Sequence, residues 1–263
     1  MNVGILGCGT LGRSLTLGLR RHSSVSAIAA TTHTPRESLP DLPHVRMLTS
    51  NSELARTSDV LFLCVKPFQV QAVLTEIAPE LCESTLLIST AASVRLEQLA
   101  AWAQWRLPIV RSMPNMPCRL GAGMTVLAAG ADVSETEVAV ARSLFETLGR
   151  VAVVEERFMN AATGLSGCGP AYVYLIVEAL SEAGVKLGLP RKTALLLAAQ
   201  TLLGSAQLVL QSEVHPAALK DEVTTPAGCT IDALMVLEEG KLRSTLINAV
   251  VAAAGRSAEL SGA

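Results

Sequence analysis

Asn2-Val3-Gly4-Ile5-Leu6-Gly7-Cys8-Gly9-Thr10-Leu11-Gly12 opens the chain, and its reading decides the first domain. Residues 2–6 are a short apolar strand, the glycines follow, and a helical pattern then runs to about residue 21. Residues 25–30 read as a second strand. Strand, glycine turn, helix and strand within about thirty residues make up the βαβ unit that binds dinucleotides. Each glycine has its own task in such a unit. Gly7 permits the tight turn, Gly9 lets a pyrophosphate approach the backbone, and Gly12 lets the helix pack on the strand. The helix start offers free N–H groups and a positive dipole end, so the anion would rest against Cys8, Thr10 and Leu11 as well. A glycine pattern alone also occurs in α/β folds that hold no nucleotide; the strand before it and the helix after it favour the cofactor.

The end of the second strand indicates which nicotinamide. An NAD site usually places Asp or Glu there to hold the ribose 2′-hydroxyl. Here the stretch is Ala29-Ala30-Thr31-Thr32-His33-Thr34-Pro35-Arg36, with no acid before Glu37. The hydroxyls of Thr31 and Thr32 and a nearby Arg36 suit a 2′-phosphate, so NADPH is favoured and NADH stays open. Arg36 reads equally well as a solvated loop residue.

Further strands are expected at 60–65, 86–89, 109–111, 125–128 and 151–154, with helical patterns between them, notably at 50–58 and 134–148. This alternation indicates an α/β class, with a parallel, doubly wound, Rossmann-like sheet. Ligands of such sheets gather beyond the carboxyl ends of the strands, which makes Lys66-Pro67, Ala91-Ala92 and Met113-Pro114-Asn115 crevice candidates. Lys66 has an ordinary alternative as a surface lysine before a helix, and Asn115 as a turn residue between two prolines.

After about residue 156 the alternation stops. The expected division is 1–156 for the nucleotide-binding domain and 157–263 for an all-α domain, with helices at 157–163, 170–187, 191–211, 215–223, 231–239 and 241–260. Residues 194–210 are apolar on nearly every side, so pairing of two copies through these helices is the economical way to cover them. The window 193–210 contains Gln200, Ser205 and Gln207, which suits a buried interface better than a membrane span. Ser166-Gly167-Cys168-Gly169-Pro170-Ala171 opens the long second helix, where the glycines allow close approach of a neighbour or a ligand.

Composition narrows the function classes. The chain has 263 residues, ample for a core, with half of them apolar, 17% charged and 3% aromatic. A formal charge of −2 without a basic run argues against nucleic acid or an anionic membrane as partner, and leaves a small molecule. The six cysteines form no C-x-x-C pair and have no histidine at ligand spacing, so no metal site is expected. Strand-like residues from Asn2 onward leave no room for a basic leader, and a cytoplasmic protein is expected.

The second candidate site is E-V-H-P-A-A-L-K-D-E-V-T-T-P-A-G-C-T at 213–230. It gathers charged, hydroxyl and small residues among apolar neighbours. Pro226, Ala227 and Gly228 should break one helix, and 231–238 should begin another, with Thr230 at or beside its N-cap. Such a start is a natural seat for a substrate carboxylate. Its ordinary alternative is a plain helix–turn–helix corner.

Together these pieces resemble the pyrroline-5-carboxylate reductase family over essentially the whole chain. The matching motifs are the glycine loop, V-K-P at 65–67, M-P-N-x-P at 113–117 and S-G-x-G-P-A-Y at 166–172, followed by H-P-x-x-L-K-D at 215–221 and P-x-G-x-T at 226–230. The resemblance implies NADPH- or NADH-dependent reduction of a cyclic imine to proline, with dimers formed through the helical domain and, in some members, rings of dimers. It implies cofactor contacts at the glycine loop, Asn51, Lys66, Pro67 and Ala92. It places substrate contacts at Thr225, Gly228, Cys229 and Thr230, and a carboxylate, Glu213, near the imine ring. Leu11, Met116, Cys168 and Ala227 depart from the family's usual Met, Thr, Ser and Gly. Ala227 matters most, because its methyl group would strain the turn if the residue needs positive φ.

A protonated iminium accepts hydride far more readily than a neutral imine, so Thr230 is expected to hydrogen-bond the ring nitrogen while Glu213 stabilises its charge or relays a proton. His215 is expected to be a packed or capping residue. A β-hydroxyacid dehydrogenase is disfavoured, because helix 170–187 has no Lys before Lys186. A reductase of a related six-membered cyclic imino acid, and a catalytically silent NADPH-binding sensor, remain as alternatives.

Overall fold

The computed structural model describes residues 1–34, 38–104 and 107–262. Its first part runs β1 (Asn2–Leu6), α1 (Thr10–Leu19), β2 (Ala27–Thr31), β3 (Arg46–Met47), α2 (Asn51–Arg56), β4 (Val60–Leu63), α3 (Val70–Ile77) and β5 (Leu86–Ser89). It continues with α4 (Leu96–Trp102), β6 (Ile109–Pro114), β7 (Gly123–Ala129), α5 (Glu135–Glu146) and β8 (Gly149–Val153). Among the described residues the strands form one eight-stranded sheet in the order β3-β2-β1-β4-β5-β6-β7-β8. The first six positions are those of a doubly wound dinucleotide fold.

Period-two alternation along the strands builds two cores. Val3, Ile5, Phe62, Ile88 and Val110 face α1 and α5, while Leu6, Leu61, Leu63, Leu87 and Ile109 face α2, α3 and α4. Consecutive strand residues therefore point to opposite layers, and the sheet is buried on both sides. Phe62 and Phe145 meet edge to face with ring centres 5.6 Å apart, a geometry worth about 0.5–1.5 kcal/mol beyond the area buried. Side chains also fix where helices begin. Ser50 accepts from the N–H of Glu53 at the start of α2, and Ser134 and Glu137 cap α5 reciprocally. Caps of this kind contribute about 1 kcal/mol each.

The sheet departs from the expected parallel pattern at one place. β7 pairs with β6 antiparallel, with Val110 opposite Ala129 and Pro114 opposite Thr125, while β8 runs parallel to β7. Only the short 3₁₀ turn Met116–Leu120 joins β6 to β7, and a parallel return needs a crossover of about a dozen residues. Strand β3 was not expected; two residues are too few to show a period.

The second part comprises α6 (Met159–Ala162), a π-helical turn at Thr163–Gly167, α7 (Gly169–Lys186), α8 (Arg191–Ser212), α9 (Pro216–Glu222), α10 (Cys229–Glu239) and α11 (Leu242–Ser261). Two compact units emerge: Met1–Cys168 with the last turns of α11 from Ala252, and Gly169–Val251. Met159 and Ala162 pack on Val126 and Ala128 of β7, which keeps α6 with the first of these units.

Within the second unit α7 packs on α8. A Cβ at Gly184 would stand 2.9 Å from Ala194 Cβ, so glycine is what permits the approach. Arg191 donates to Glu182 at 2.7 Å, and each holds the other charged: the Glu182 carboxyl lies below its usual range and the Arg191 guanidinium above it. Among the described side chains of α8 only Ala194 and Ala198 are buried, while Leu195, Leu196, Leu197 and Leu203 are exposed. By length and composition α8 could cross a membrane. An apolar face of this extent marks an interaction surface.

Candidate active site

The sheet order explains how distant residues reach one edge. β2, β1, β4, β5 and β6 are consecutive and parallel. Their carboxyl ends therefore present Thr31-Thr32, the loop 7–12, Lys66-Pro67, Ala91-Ala92 and Asn115 along one side.

The glycine loop behaves as its sequence requires. Gly7 has φ 90, and a Cβ there would lie 2.9 Å from Val65 Cγ1. A Cβ on Gly12 would press to 2.7 Å from the Gly7 carbonyl oxygen, so α1 seats on β1 only with glycine. Gly9 has open space within 4 Å of the position a Cβ would take. The N–H groups of Gly7 and Cys8 donate to the Thr31 carbonyl at 3.2 and 2.8 Å. Gly9 is the N-cap of α1, supplies no side chain to cap it, and no acid lies in the first turn. The N–H groups of Thr10, Leu11 and Gly12 are consequently the orphan donors of the helix start. An open backbone, orphan donors and no acid in the first turn fit a dinucleotide pyrophosphate.

The other positions on this edge have mixed characters. Thr31 is buried and ends β2, and the Thr32 hydroxyl donates to the Thr34 carbonyl at 2.7 Å. Arg36 and Glu37 lie outside the described residues. Asn51 opens α2, with its amide donating to Glu76 at 3.1 Å. Lys66 is exposed ahead of the turn Pro67–Gln69, and its N–H donates to Gln69 Oε1. Ala92 is half-buried beside Ser93, a serine with φ 60. The amide of Asn115 donates to the Ser166 carbonyl at 3.1 Å and accepts from the Met124 N–H at 2.9 Å. Its oxygen thereby braces the β6–β7 joint and its nitrogen ties that joint to the π turn, close to its alternative reading as a turn residue.

The thiols near this edge are inert. Burial pushes Cys64 up to about 12, against a hydrogen bond with Thr90 that lowers it. Burial likewise raises Cys8, in the glycine loop, and Cys118. None is a thiolate at neutral pH.

The 213–230 stretch forms a second anion-ready start in the helical unit. α9 ends at Glu222 and α10 begins at Cys229, with Gly228 as its N-cap at φ −80 and no side-chain cap. The helix therefore starts earlier than residue 231, and Thr230, expected at or beside the N-cap, is the second residue of its first turn. Gly228 takes the cap because it has no side chain: a Cβ there would lie 2.5 Å from Thr225 Oγ1. The turn closes through Gly228 N–H to the Thr225 carbonyl at 3.1 Å. Cys229 and Thr225 are exposed, Thr230 is half-buried, and Asp232 stands in the first turn. Ala227 has φ 58, so the strain expected of its methyl group is present.

Glu213 ends α8 as its C-cap with φ 57 and an exposed side chain. A glutamate there breaks two local rules: the left-handed region favours glycine, and a helix C-terminus repels an anion. Such conflicts concentrate at functional positions. His215 caps α9, its Nδ1 accepting from the Ala217 N–H at 3.2 Å, which is the role expected for it. Among the described residues no cluster of three or more potential metal ligands occurs.

Residues 2–93 match a family model described as NADP oxidoreductase, coenzyme F420-dependent. Residues 156–260 match one described as pyrroline-5-carboxylate reductase dimerisation. A pyrroline-5-carboxylate reductase of Glycine max is 42% identical over 263 residues, covering 98% of this chain and 96% of that relative. The chain belongs to the pyrroline-5-carboxylate reductase family. Solved members share its shape. A pyrroline-5-carboxylate reductase of Coxiella burnetii superposes with a TM-score of 0.90 at 36% identity, covering 99% of this chain and 98% of that one. The Plasmodium falciparum pyrroline carboxylate reductase with NADP bound gives 0.89 at 32% identity, over 99% and 98% of the two chains. The dimerisation region of this pyrroline-5-carboxylate reductase family member includes α7 and α8, the helices whose outer faces are apolar.

Proposed function

We propose that the protein reduces 1-pyrroline-5-carboxylate to L-proline with NADPH, NADH serving less well, as a cytoplasmic homodimer in proline biosynthesis. One observation carries this reading beyond the family match. The chain presents two helix starts, each opened by a glycine and left without a side-chain cap: α1 behind Gly9 and α10 behind Gly228. One suits a pyrophosphate and the other a carboxylate.

The residues divide the work accordingly. Thr10, Leu11 and Gly12 hold the pyrophosphate through their backbone N–H groups, and Gly7, Cys8 and Gly9 form the turn that lets it approach. Thr31 and Thr32 face the adenosine ribose, where no carboxylate repels a 2′-phosphate. Asn51, Lys66, Pro67 and Ala92 complete the cofactor cradle, and Asn115 keeps the joint beyond β6 in place. The cofactor, when bound, supplies the hydride. The N–H groups after Gly228, with Thr225 and Cys229 alongside, hold the imino acid's carboxylate. Thr230 accepts or donates a hydrogen bond at the ring nitrogen, and Glu213 stabilises the positive charge of the protonated imine or passes it a proton. Protonation at that nitrogen raises the electrophilicity of the carbon that receives the hydride.

The test is Thr230→Ala. Loss of a hydrogen bond to a charged group costs about 1.5–3 kcal/mol, so kcat should fall by about 10- to 150-fold, while the NADPH dissociation constant stays unchanged. Undiminished turnover would remove Thr230 from the chemistry.

A further inference from the structure

The loop after β5 is strained and anchored at two points. Ser93, with φ 60, occupies a backbone region that residues bearing a Cβ rarely enter, and such conformations persist where their surroundings over-determine them. Both anchors originate in the segment 156–160. Glu156 Oε1 accepts from the N–H of Leu96, the first residue of α4, at 2.7 Å. The same oxygen accepts from Arg111 Nη1 at 2.7 Å. Arg111 lies on β6 opposite Ser89, the last residue of β5, and is 5% exposed. From the same segment, Asn160 Oδ1 accepts from Ser257 Oγ at 2.9 Å, and Ser257 Oγ lies 3.5 Å from Ser93 Oγ.

Arg111 is buried while Glu156 is half-buried, and an ion pair with a buried member is a poor device for stability alone, since apolar residues of similar volume often serve as well. What this pair adds is geometry. Arg95, the N-cap of α4, gives the helix no side-chain cap. Gln98 Oε1 accepts from the Arg95 N–H at 2.9 Å, and Arg111 holds the Glu156 carboxylate where the Leu96 N–H can meet it, so one donor of the helix start is met from its own sequence and the next from outside it. The segment between β5 and Leu96 contains Ala91-Ala92 and lies next to β4, whose Leu63 carbonyl accepts from Thr90 N–H at 3.0 Å and from Thr90 Oγ1 at 3.1 Å. It therefore sits on the edge that also carries the glycine loop.

We propose that Glu156, paired with Arg111, is a positioning residue that sets the 90–95 loop, and through it Ala92, for the nicotinamide cofactor, with Asn160 and Ser257 as the second anchor. The inference rests on the NADPH reading above. Neither Glu156 nor Arg111 touches the reacting atoms; they act through the loop backbone.

The decisive comparison is between a double variant and a single one. R111M/E156M replaces the ion pair by apolar side chains of similar length and removes the acceptor for Leu96. Glu156→Gln removes the carboxylate charge and leaves Arg111 to hold an amide oxygen against the Leu96 N–H. Both should melt near the wild-type temperature. By fluorescence titration the first should bind NADPH about tenfold more weakly, the size of one lost hydrogen bond, and the second should recover most of that loss. Equal NADPH affinity in R111M/E156M and wild type would overturn the proposal, as would equal weakening in both variants. Should R111M/E156M fail to fold, Ser257→Ala decides: weaker NADPH binding at unchanged melting temperature supports the clamp, and wild-type affinity overturns it. Wild-type protein that binds no NADPH would defeat the functional reading, and the clamp's role with it; wild-type binding with indifferent variants defeats the clamp alone.

Discussion

Gly9→Ala separates the fold from the cofactor site more cleanly than any other single change. Gly9 has φ −81 and ψ −153, close to extended backbone that alanine adopts. No heavy atom lies within 4 Å of the added Cβ. Native packing is therefore undisturbed, and the unfolded chain loses some freedom, so stability should hold or rise by about 0.4–1 kcal/mol. The cofactor meets a different situation, because the methyl group fills the space through which a pyrophosphate reaches the first N–H groups of α1. Losing one charge-assisted hydrogen bond there costs about 1.5–3 kcal/mol, an increase in the NADPH dissociation constant of about 10- to 150-fold. Thermal melting and titration of NADPH fluorescence read the two effects separately. Gly12→Ala supplies the contrast, since its Cβ would meet the Gly7 carbonyl oxygen at 2.7 Å and should lower the melting temperature itself. A G9A variant that binds NADPH as tightly as wild type would refute the placement of the pyrophosphate. A G9A variant that unfolds would refute the claim that the added methyl group leaves the fold undisturbed.

Two further outcomes follow from strain and burial. Ala227→Gly relieves a left-handed alanine with φ 58 and should stabilise the protein by roughly 0.5–1 kcal/mol after the added freedom of the unfolded chain is counted; a lower denaturation midpoint would contradict it. Cys64 has its thiol raised to about 12 by burial, so above about pH 9 the unfolded chain binds fewer protons than the folded one and stability must fall as pH rises. Between neutral pH and about pH 10.5 wild type should lose on the order of 2 kcal/mol more than Cys64→Ala, and parallel pH profiles of the two would rule this out.

Much of the fold was legible because it follows from local patterns. The glycine loop marks β1, α1 and β2, and the apolar segments 60–65 and 86–89 read as strands. The left-handed Ala227 was legible as a departure from glycine. What could not be read depends on partners far away in sequence. Arg111 and Glu156 are separated by 45 positions, and nothing local marks them as a pair, although a charge inside an apolar strand is itself a signal. The antiparallel β7 depends on the length of the turn before it. Gly228 reads in sequence as a helix breaker, which sets Thr230 at or beside the cap, whereas a glycine with extended φ and ψ can be the cap itself. Ser93 gave no sign at all, since serine is ordinary in loops and its strain comes from anchors in other elements.

The most direct measurement mixes the purified protein with NADPH and 1-pyrroline-5-carboxylate and follows both nicotinamide oxidation and proline. The expected result is one proline formed for each NADPH consumed, with a six-membered cyclic imino acid turned over more slowly. Tight NADPH binding with no imine reduced would contradict the assignment and favour a silent sensor; faster turnover of the six-membered ring would move the substrate.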